Sequence, residues 1–290
     1  MGFSKGMADK GNIYIGTSGW SYPKGKGTWA GYFYPAGKIN ELEYYSQFFS
    51  TVEVNSSFYR PPNPAYVANW VRLTPRDFLF AVKLWQKFTH PRMYEAATGD
   101  AAAISQNDVD LFHRSLEPLC NSGKLGALLA QFPPSFRNDR HSQQILHAVL
   151  RTFGRYRLAV ELRHRSWSDD PHTAEMLREH NTAWVQIDEP KFPSSIATDV
   201  PLTADMAYFR FHGRNKEEWW TGDSETRYKY LYSLEEIREL ADRARPAFEQ
   251  TKLVFAFFNN HWRGYSPRNA VALKKEMKLP VQELPDHLAR

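Results

Sequence analysis

The sequence predicts an α/β fold, a single (β/α)8 barrel spanning residues 13–290 behind a flexible leader at 1–12. Three observations predict it. Eight short β-rich runs, at 13–19, 51–59, 78–85, 125–132, 157–163, 183–188, 207–212 and 252–259, alternate with longer amphipathic stretches, the pattern of βαβ units on a parallel sheet. The length of 290 residues suits one barrel of about 250 residues with a few long loops. A polar residue falls late in nearly every β-rich run, where a barrel collects polar groups at its C-terminal mouth.

The intervening helices carry recognisable start signals. Asn40 and Glu43 make a capping box before the run at 42–49. Asn63-Pro64 and Ser266-Pro267 each place an N-cap before a proline at the first helical position, for helices at 66–73 and 270–277. A helix at 106–117 should end at Pro118, and one at 140–153 should end on Gly154 as a left-handed C′ residue. Asp170-Pro171 opens a segment running to His180. Ser233 and Glu236 open a long helix to Gln250, expected to kink at Pro246. The connections at 89–107 after the third strand and 213–232 after the seventh are long, and the sixth link, at 190–206, is broken by Pro190, Pro193 and Pro201.

Composition narrows the function classes. With 37 basic and 32 acidic residues the net charge is +5, and the pI is near 9.1. No block of like charges marks a nucleic-acid tail, so a weak attraction to anionic ligands is all this licenses. Cys120 is the one cysteine. It excludes an intrachain disulfide and a cysteine metal site, and with Leu116 and Leu119 beside it a core-facing thiol is expected. The leader is polar and glycine-rich, not a secretory signal, and no apolar run approaches the roughly 20 residues of a membrane helix. A cytoplasmic protein that does not engage a membrane is therefore expected. Aromatic residues make up 15%, with nine Trp and fifteen Tyr, more than an aliphatic core needs.

Side chains two apart share a face of a strand. Glu53 and Asn55 should point inward from the second strand, Lys83 from the third, Glu161 and Arg163 from the fifth, and Gln186 and Asp188 from the sixth. Tyr208, Arg210 and His212 line up on the seventh, Gln131 ends the fourth, and Asn259 and Asn260 end the eighth. Aromatic residues at strand ends and in the following loops, including Trp20, Tyr22, Trp29, Tyr59, Trp167, Trp219 and Trp220, would rim the pocket.

These blocks also carry a resemblance. Gly16-Thr17-Ser18-Gly19-Trp20-Ser21-Tyr22, Glu53-Val54-Asn55-Ser56-Ser57-Phe58-Tyr59, Phe80-Ala81-Val82-Lys83 with Thr89-His90, Gln131-Phe132-Pro133-Pro134, Glu161-Leu162-Arg163-His164-Arg165-Ser166-Trp167, Phe209-Arg210-Phe211-His212-Gly213 and Phe258-Asn259-Asn260-His261 resemble, in order, the blocks of the YecE-like family, domain of unknown function 72. The sequence departs from that pattern at Leu84-Trp85-Gln86, where a proline is expected. The resemblance implies a TIM-like barrel and supplies no reaction.

The favoured expectation is metal-independent acid–base catalysis on a small polar substrate, sugar-like, phosphorylated or carboxylated, held at the strand ends. Glu53, Lys83, Glu161 and His212 would do the chemistry. Trp20, Tyr22, Asn55, Tyr59, His90 and Gln131 would hold the substrate, with Arg163, His164, Trp167, Asp188, Arg210, Asn259 and Asn260. No cofactor is implied. A divalent-metal sugar isomerase or phosphodiesterase, with Glu161, Asp188 and His212 as ligands, is the alternative, disfavoured by the three cations at the same mouth. A Schiff-base role for Lys83 needs a depressed pKa, which pairing with Glu53 or Glu161 would oppose. A non-enzymatic barrel binding a ligand or nucleic acid is compatible with the basic pI, but no recognition motif supports it.

Overall fold

A computed structural model describes residues 12–100, 103–223 and 226–284. Along them run β1 (Asn12–Thr17), α1 (Glu41–Tyr45), β2 (Thr51–Val54), a 3-10 turn at Ser56–Phe58, α2 (Pro64–Leu73), β3 (Leu79–Lys83), α3 (Gln86–Thr89), α4 (Pro91–Thr98), α5 (Gln106–Asn121), β4 (Leu125–Gln131) and α6 (Arg140–Phe153). There follow β5 (Leu158–Glu161), α7 (Arg165–Ser168), α8 (His172–Glu179), β6 (Ala183–Trp184), β7 (Gln186–Asp188), β8 (Met206–Phe211), α9 (Leu234–Gln250), β9 (Leu253–Phe258), a 3-10 turn at Trp262–Gly264 and α10 (Tyr265–Glu276). The expected leader lies outside the described residues, except that Asn12 already belongs to β1.

The caps read from the sequence form where side chains can reach free backbone N–H groups. Asn40 accepts from Glu43 N–H, Asn63 from Ala65 N–H and Asp139 from Ser142 N–H, while Ser233 and Glu236 form a reciprocal capping box. Five local expectations are corrected. α5 continues past Pro118 to Asn121, because a proline removes one ladder bond while Leu116 and Leu119 on either side of it stay fully buried. Cys120 points away from that face and is exposed. Gly154 is right-handed at φ −63°, not left-handed. α10 starts at Tyr265 behind Gly264, at φ 75°, so Ser266 lies inside the helix and does not cap it. α9 is continuous through Pro246.

All strand pairs are parallel, in a four-stranded sheet β1-β9-β8-β7 and a five-stranded sheet β2-β3-β4-β5-β6. The expected closed ladder is thus divided at two seams, each with a physical cause. Between β1 and β2 the phenol of Tyr45 is inserted. Its hydroxyl accepts from Thr17 N–H at 3.0 Å and donates to Thr51 C=O at 3.0 Å, standing in for ladder bonds. Gly16 allows this approach, since a Cβ there would lie 2.4 Å from Thr51 O. Beyond the phenol, Ser18 pairs with Glu53 and Gly19 N–H donates to Glu53 C=O at 2.8 Å. The second seam splits the expected sixth strand at Val185. β6 pairs with β5 and β7 pairs with β8, while the Gln186 side chain donates to Val200 C=O in the proline-broken link.

Register sorts the faces. Glu53 aligns with Ala81, Ala81 with Ala127, and Gln131 with Glu161. In the other sheet Tyr208 aligns with Phe255, and Arg210 with Phe257 and Ile187. These faces meet, because Arg210 bonds both Glu53 and Glu161. Small side chains oppose rings across the interior: a Cβ on Gly126 would lie 2.6 Å from the tip of Phe255. The opposite faces, carrying Phe209, Phe211 and Phe258, pack beneath the helices in one contiguous core. No helix among the described residues is long and apolar enough to cross a membrane.

Tyr45→Phe should lower stability by about 1–3 kcal/mol, the cost of leaving a buried backbone donor and acceptor unbonded. Urea denaturation measures it, and an unchanged midpoint would show that the phenol does not hold the seam.

Candidate active site at the strand ends

The site begins with charge. Arg210 is 2% exposed at its side chain and grips Glu53 with two nitrogens, Nε to Oε2 at 2.9 Å and Nη2 to Oε1 at 2.8 Å. Tyr208 adds a hydroxyl to Glu53 Oε2 at 2.8 Å. The third nitrogen, Nη1, reaches Glu161 Oε2 at 2.5 Å. Glu161 Oε1 then accepts from Arg163 Nε at 2.6 Å. Burial alone would raise both carboxyl pKa values. The arginine charges and hydrogen bonds outweigh it, holding Glu53 below and Glu161 well below the ordinary range.

Arg163 continues outward. Its Nη2 lies 3.1 Å from His212 Nε2 and its Nη1 lies 3.4 Å from Glu189 Oε2. Burial, with Arg210 and Arg163 beside it, lowers the His212 pKa to about 4, so the imidazole is neutral at pH 7. Its Nε2 lone pair accepts from Arg163. Its Nδ1 lies 3.0 Å from the Asn259 side-chain nitrogen, Nδ2.

Lys83 stands apart from the carboxylates. Its amine donates to Gln131 Oε1 at 2.6 Å and lies 4.0 Å from the centre of the Phe58 ring. Burial is the largest cause of its depressed pKa and Arg210 the second. Glu161 and Glu53 offset these only in part, and the value falls to about 7. His90 meets Phe58 edge-on at 4.9 Å, and burial and Lys83 bring its pKa to about 3. A cavity of about 370 Å³ opens beside His90, lined also by Arg92, Met93, Phe136 and His141. Trp219 and Tyr228 lie 6.3 Å from the His212 ring, and Tyr22 stacks on His261 at 4.6 Å.

Of the residues expected here, Glu53, Glu161, Arg163, Arg210, His212 and Asn259 form one bonded cluster, Lys83 and Gln131 form a separate bonded pair on the neighbouring strands β3 and β4, and Tyr22 and His90 lie nearby. Others do not join. Register pairs Asp188 with Phe211 and Gln186 with Phe209, on the outward face. There Asp188 bonds Tyr232, Arg214 and Arg243. The third carboxylate of the cluster is Glu189, one residue on. Asn260 likewise turns outward, donating to Tyr230 C=O and Asn269, both at 2.7 Å. Trp167 is fully buried, stacked on Phe136, with its indole N–H on Phe136 C=O. His164 caps α7 through Ser166 N–H. Trp20 packs edge-on to Trp70 near α1 and α2. Tyr59 is 69% exposed against Phe58, and Asn55 Oδ1 is buried without a hydrogen-bond partner. The ligand set Glu161, Asp188 and His212 is therefore split between two faces. Among the described residues no group of three or more His, Cys, Asp or Glu side chains could hold a metal.

Sequence reasoning missed Glu189, Phe58, Tyr228 and His261. Glu189 was hidden because the break at Val185 resets the alternation assumed through the sixth run. Phe58 lay in a quoted block, but its turn could not be placed from alternation.

Arg210→Ala should cost about 3–5 kcal/mol at pH 7 by leaving two carboxylates buried and unpaired. In the unaltered chain their depressed pKa values add stability above about pH 4.3 that is lost as pH falls below it. The gap between the two proteins should therefore close in acid, and a gap independent of pH would refute the arrangement. For Lys83, the unfolded chain keeps its proton to about pH 10.4 while the folded chain releases it near 7. Stability contributed at this position should thus rise between those values, and Lys83→Met should abolish the rise in denaturation midpoints.

Comparison with known proteins places the chain. Residues 14–289 match the model of a protein family described as "Protein of unknown function DUF72". The UPF0759 protein YunF of Bacillus subtilis is 32% identical over 271 residues, covering 89% of this chain and 92% of that protein. The UPF0759 protein YecE of Escherichia coli K12 is 30% identical over 154 residues, 52% of this chain and 48% of that one. The crystal structure of a DUF72 family protein from Thermotoga maritima MSB8 superposes with a TM-score of 0.80 at 37% identity, over 92% of this chain and 99% of that one. A DUF72 family protein from Enterococcus faecalis V583 gives 0.79 at 28% identity, over 94% and 98%. The chain belongs to the DUF72 family.

Proposed function

We propose that this protein is a metal-independent acid–base enzyme acting on a small, polar, anionic substrate, sugar-like, phosphorylated or carboxylated, with the two sheets acting as the wall of one barrel. The observation that carries the reading is the separation of Lys83 from the carboxylates. Glu53 and Glu161 are each bonded to arginine, whereas the Lys83 amine touches an amide oxygen and an aromatic ring. A buried amine with two guanidinium groups nearby gives up its proton near neutral pH and can act as a general base.

The same bonds reassign the acidic residues. An acid of the glycosidase kind needs a raised pKa, and both Glu53 and Glu161 are lowered. They serve here as positioning residues for the two arginines. Arg163, 11% exposed at its side chain, is the guanidinium that an incoming anion meets, and Lys83 stands beside it. His212, neutral and bonded to Arg163, orients that guanidinium. The rings of Phe58, Trp219 and Tyr228 supply the apolar walls a small pocket uses to exclude water. The fold adds no argument for the reaction type, since barrels host many chemistries.

A thermal-shift panel of sugar phosphates, keto acids and hydroxy acids tests the reading. A ligand at about 100 times its dissociation constant adds roughly 2.7 kcal/mol. An anionic ligand should stabilise the protein, and Arg163→Ala should remove the effect. Turnover of that ligand should rise with pH through a midpoint near 7, as Lys83 loses its proton, and Lys83→Met should abolish it. Stabilisation untouched by Arg163→Ala, or turnover surviving Lys83→Met, would sink the reading.

A further inference from the structure

Two groups at the strand ends are left with unused bonding capacity. The Lys83 amine donates one hydrogen bond to Gln131 and rests against the Phe58 ring; neither contact uses the nitrogen lone pair. Glu189 follows directly on β7, its side chain 5% exposed and paired with Arg163. Its Oε2 is buried and makes no hydrogen bond, approaching Arg163 Nη1 only to 3.4 Å. Glu53 and Glu161 are gripped at 2.5–2.9 Å; Glu189 is the cluster carboxyl that is not. Arg163 spends Nε on Glu161 and Nη2 on His212, which leaves N–H groups on its terminal nitrogens for a ligand.

The geometry points to Lys83 as a covalent nucleophile that forms an imine with a small carbonyl compound carrying an anionic group, Arg163 binding the anion and Glu189 supplying the proton that expels water. The inference rests on the acid–base reading above and specifies its substrate class. The steps balance without any redox partner. The lone pair of the neutral amine attacks the carbonyl carbon, and a proton moves from nitrogen to the former carbonyl oxygen, giving a carbinolamine. The Glu189 carboxylic acid then protonates that hydroxyl. The C–O bond breaks, water leaves, and the nitrogen lone pair closes the C=N bond as a protonated imine facing the new Glu189 carboxylate. Burial raises the Glu189 pKa against the pull of Arg163, which favours the acid form this step consumes. Phe58 and Gln131 fix the nitrogen in place, and an amine about half deprotonated at pH 7 suits a nucleophilic lysine.

Borohydride trapping tests this on the intact protein. Pyruvate supplies a carbonyl with a carboxylate, dihydroxyacetone phosphate one with a phosphate, and dihydroxyacetone one with neither. Each is incubated with the protein, reduced, digested and read by mass spectrometry. Reduction by hydride at the imine carbon should leave a secondary amine on Lys83 with pyruvate or dihydroxyacetone phosphate, at least about tenfold above any other lysine and above the uncharged compound. Glu189→Gln should fold with an unchanged denaturation midpoint at pH 7 and slow trapping by about tenfold or more, in line with the loss of a general acid. Lys83→Arg should remove the adduct. If surface lysines label and Lys83 does not, the imine is overturned. Anion stabilisation that survives in that case leaves the acid–base reading standing, and its absence takes both down together. An adduct formed at the same rate in Glu189→Gln overturns the role of Glu189.

Discussion

The bonds from Arg210 to Glu53 and Glu161 are the constraint on which the rest of the site depends. Taking a guanidinium and two carboxylates out of water is costly, and only near-complete hydrogen bonding offsets the cost. Here the bonding is near complete: two nitrogens on one carboxylate, the third on the other, and a tyrosine hydroxyl added to Glu53. Glu53 lies in β2, Glu161 in β5 and Arg210 in β8, so one side chain ties the two sheets together at their C-terminal ends. It adds to the backbone bridge from Ser18 and Gly19 to Glu53, where the sheets otherwise part at the Tyr45 phenol and at Val185.

That arrangement also decides which groups can do proton chemistry. Once Arg210 and Arg163 have claimed Glu53 and Glu161, neither carboxylate is a good acid or base near neutral pH. The positive field of the two guanidinium groups then falls on whatever titrates nearby. Burial and that field together lower Lys83 to about 7 and His212 to about 4, so at pH 7 the imidazole is neutral and the amine about half deprotonated. Glu189 is affected differently: burial, with Glu161 nearby, raises its pKa against the pull of Arg163, Lys191 and Arg210. A lowered amine and a raised carboxyl are groups whose environments push their pKa values toward one another, the arrangement acid–base chemistry uses. The same three cations and two carboxylates had been legible in the sequence; their partition into locked and unlocked groups was not, because it depends on which nitrogen meets which oxygen.

How far a sequence could be read is best seen strand by strand. Lys83, Glu161 and Arg210 fall on the interior face because alternation along an uninterrupted strand has a period of two, and β3, β5 and β8 are uninterrupted. The sixth run reads Ala-Trp-Val-Gln-Ile-Asp, with apolar residues on both parities, so neither face announces itself. Its break at Val185 and its register with β8 turn Asp188 outward and bring Glu189 in. Asn259 and Asn260 pose the same problem, being adjacent and chemically identical; only contact with His212 for one and Asn269 for the other separates them. Aromatic residues were the least legible. Trp167 and Trp29 are buried structural rings, each with its indole N–H on a backbone carbonyl, while Phe58, inside a turn no pattern could orient, faces the lysine.

Asp188 has a further use that explains its place on the outer face. Its Oδ1 accepts from the Tyr232 hydroxyl at 2.7 Å, and that hydroxyl accepts from Gly213 N–H at 2.9 Å. Gly213 and Tyr232 are the two ends of the long loop after β8, so one carboxylate fastens both. Asn269 repeats the device at the second end, accepting from Tyr232 N–H and donating to Tyr232 C=O. Between these anchors the loop carries Trp219 and Tyr228 to within 6.3 Å of His212. The position of those rings is therefore set from behind the sheet, by a carboxylate and an amide that never face the opening. Because Asp188 precedes Glu189 in the chain, the same short strand anchors the loop with one residue and presents a carboxyl to the site with the next. A strand whose side chains point both ways thus couples the loop to the strand-end cluster, and a change at Asp188 would reach His212 through the loop's rings without touching the cluster itself.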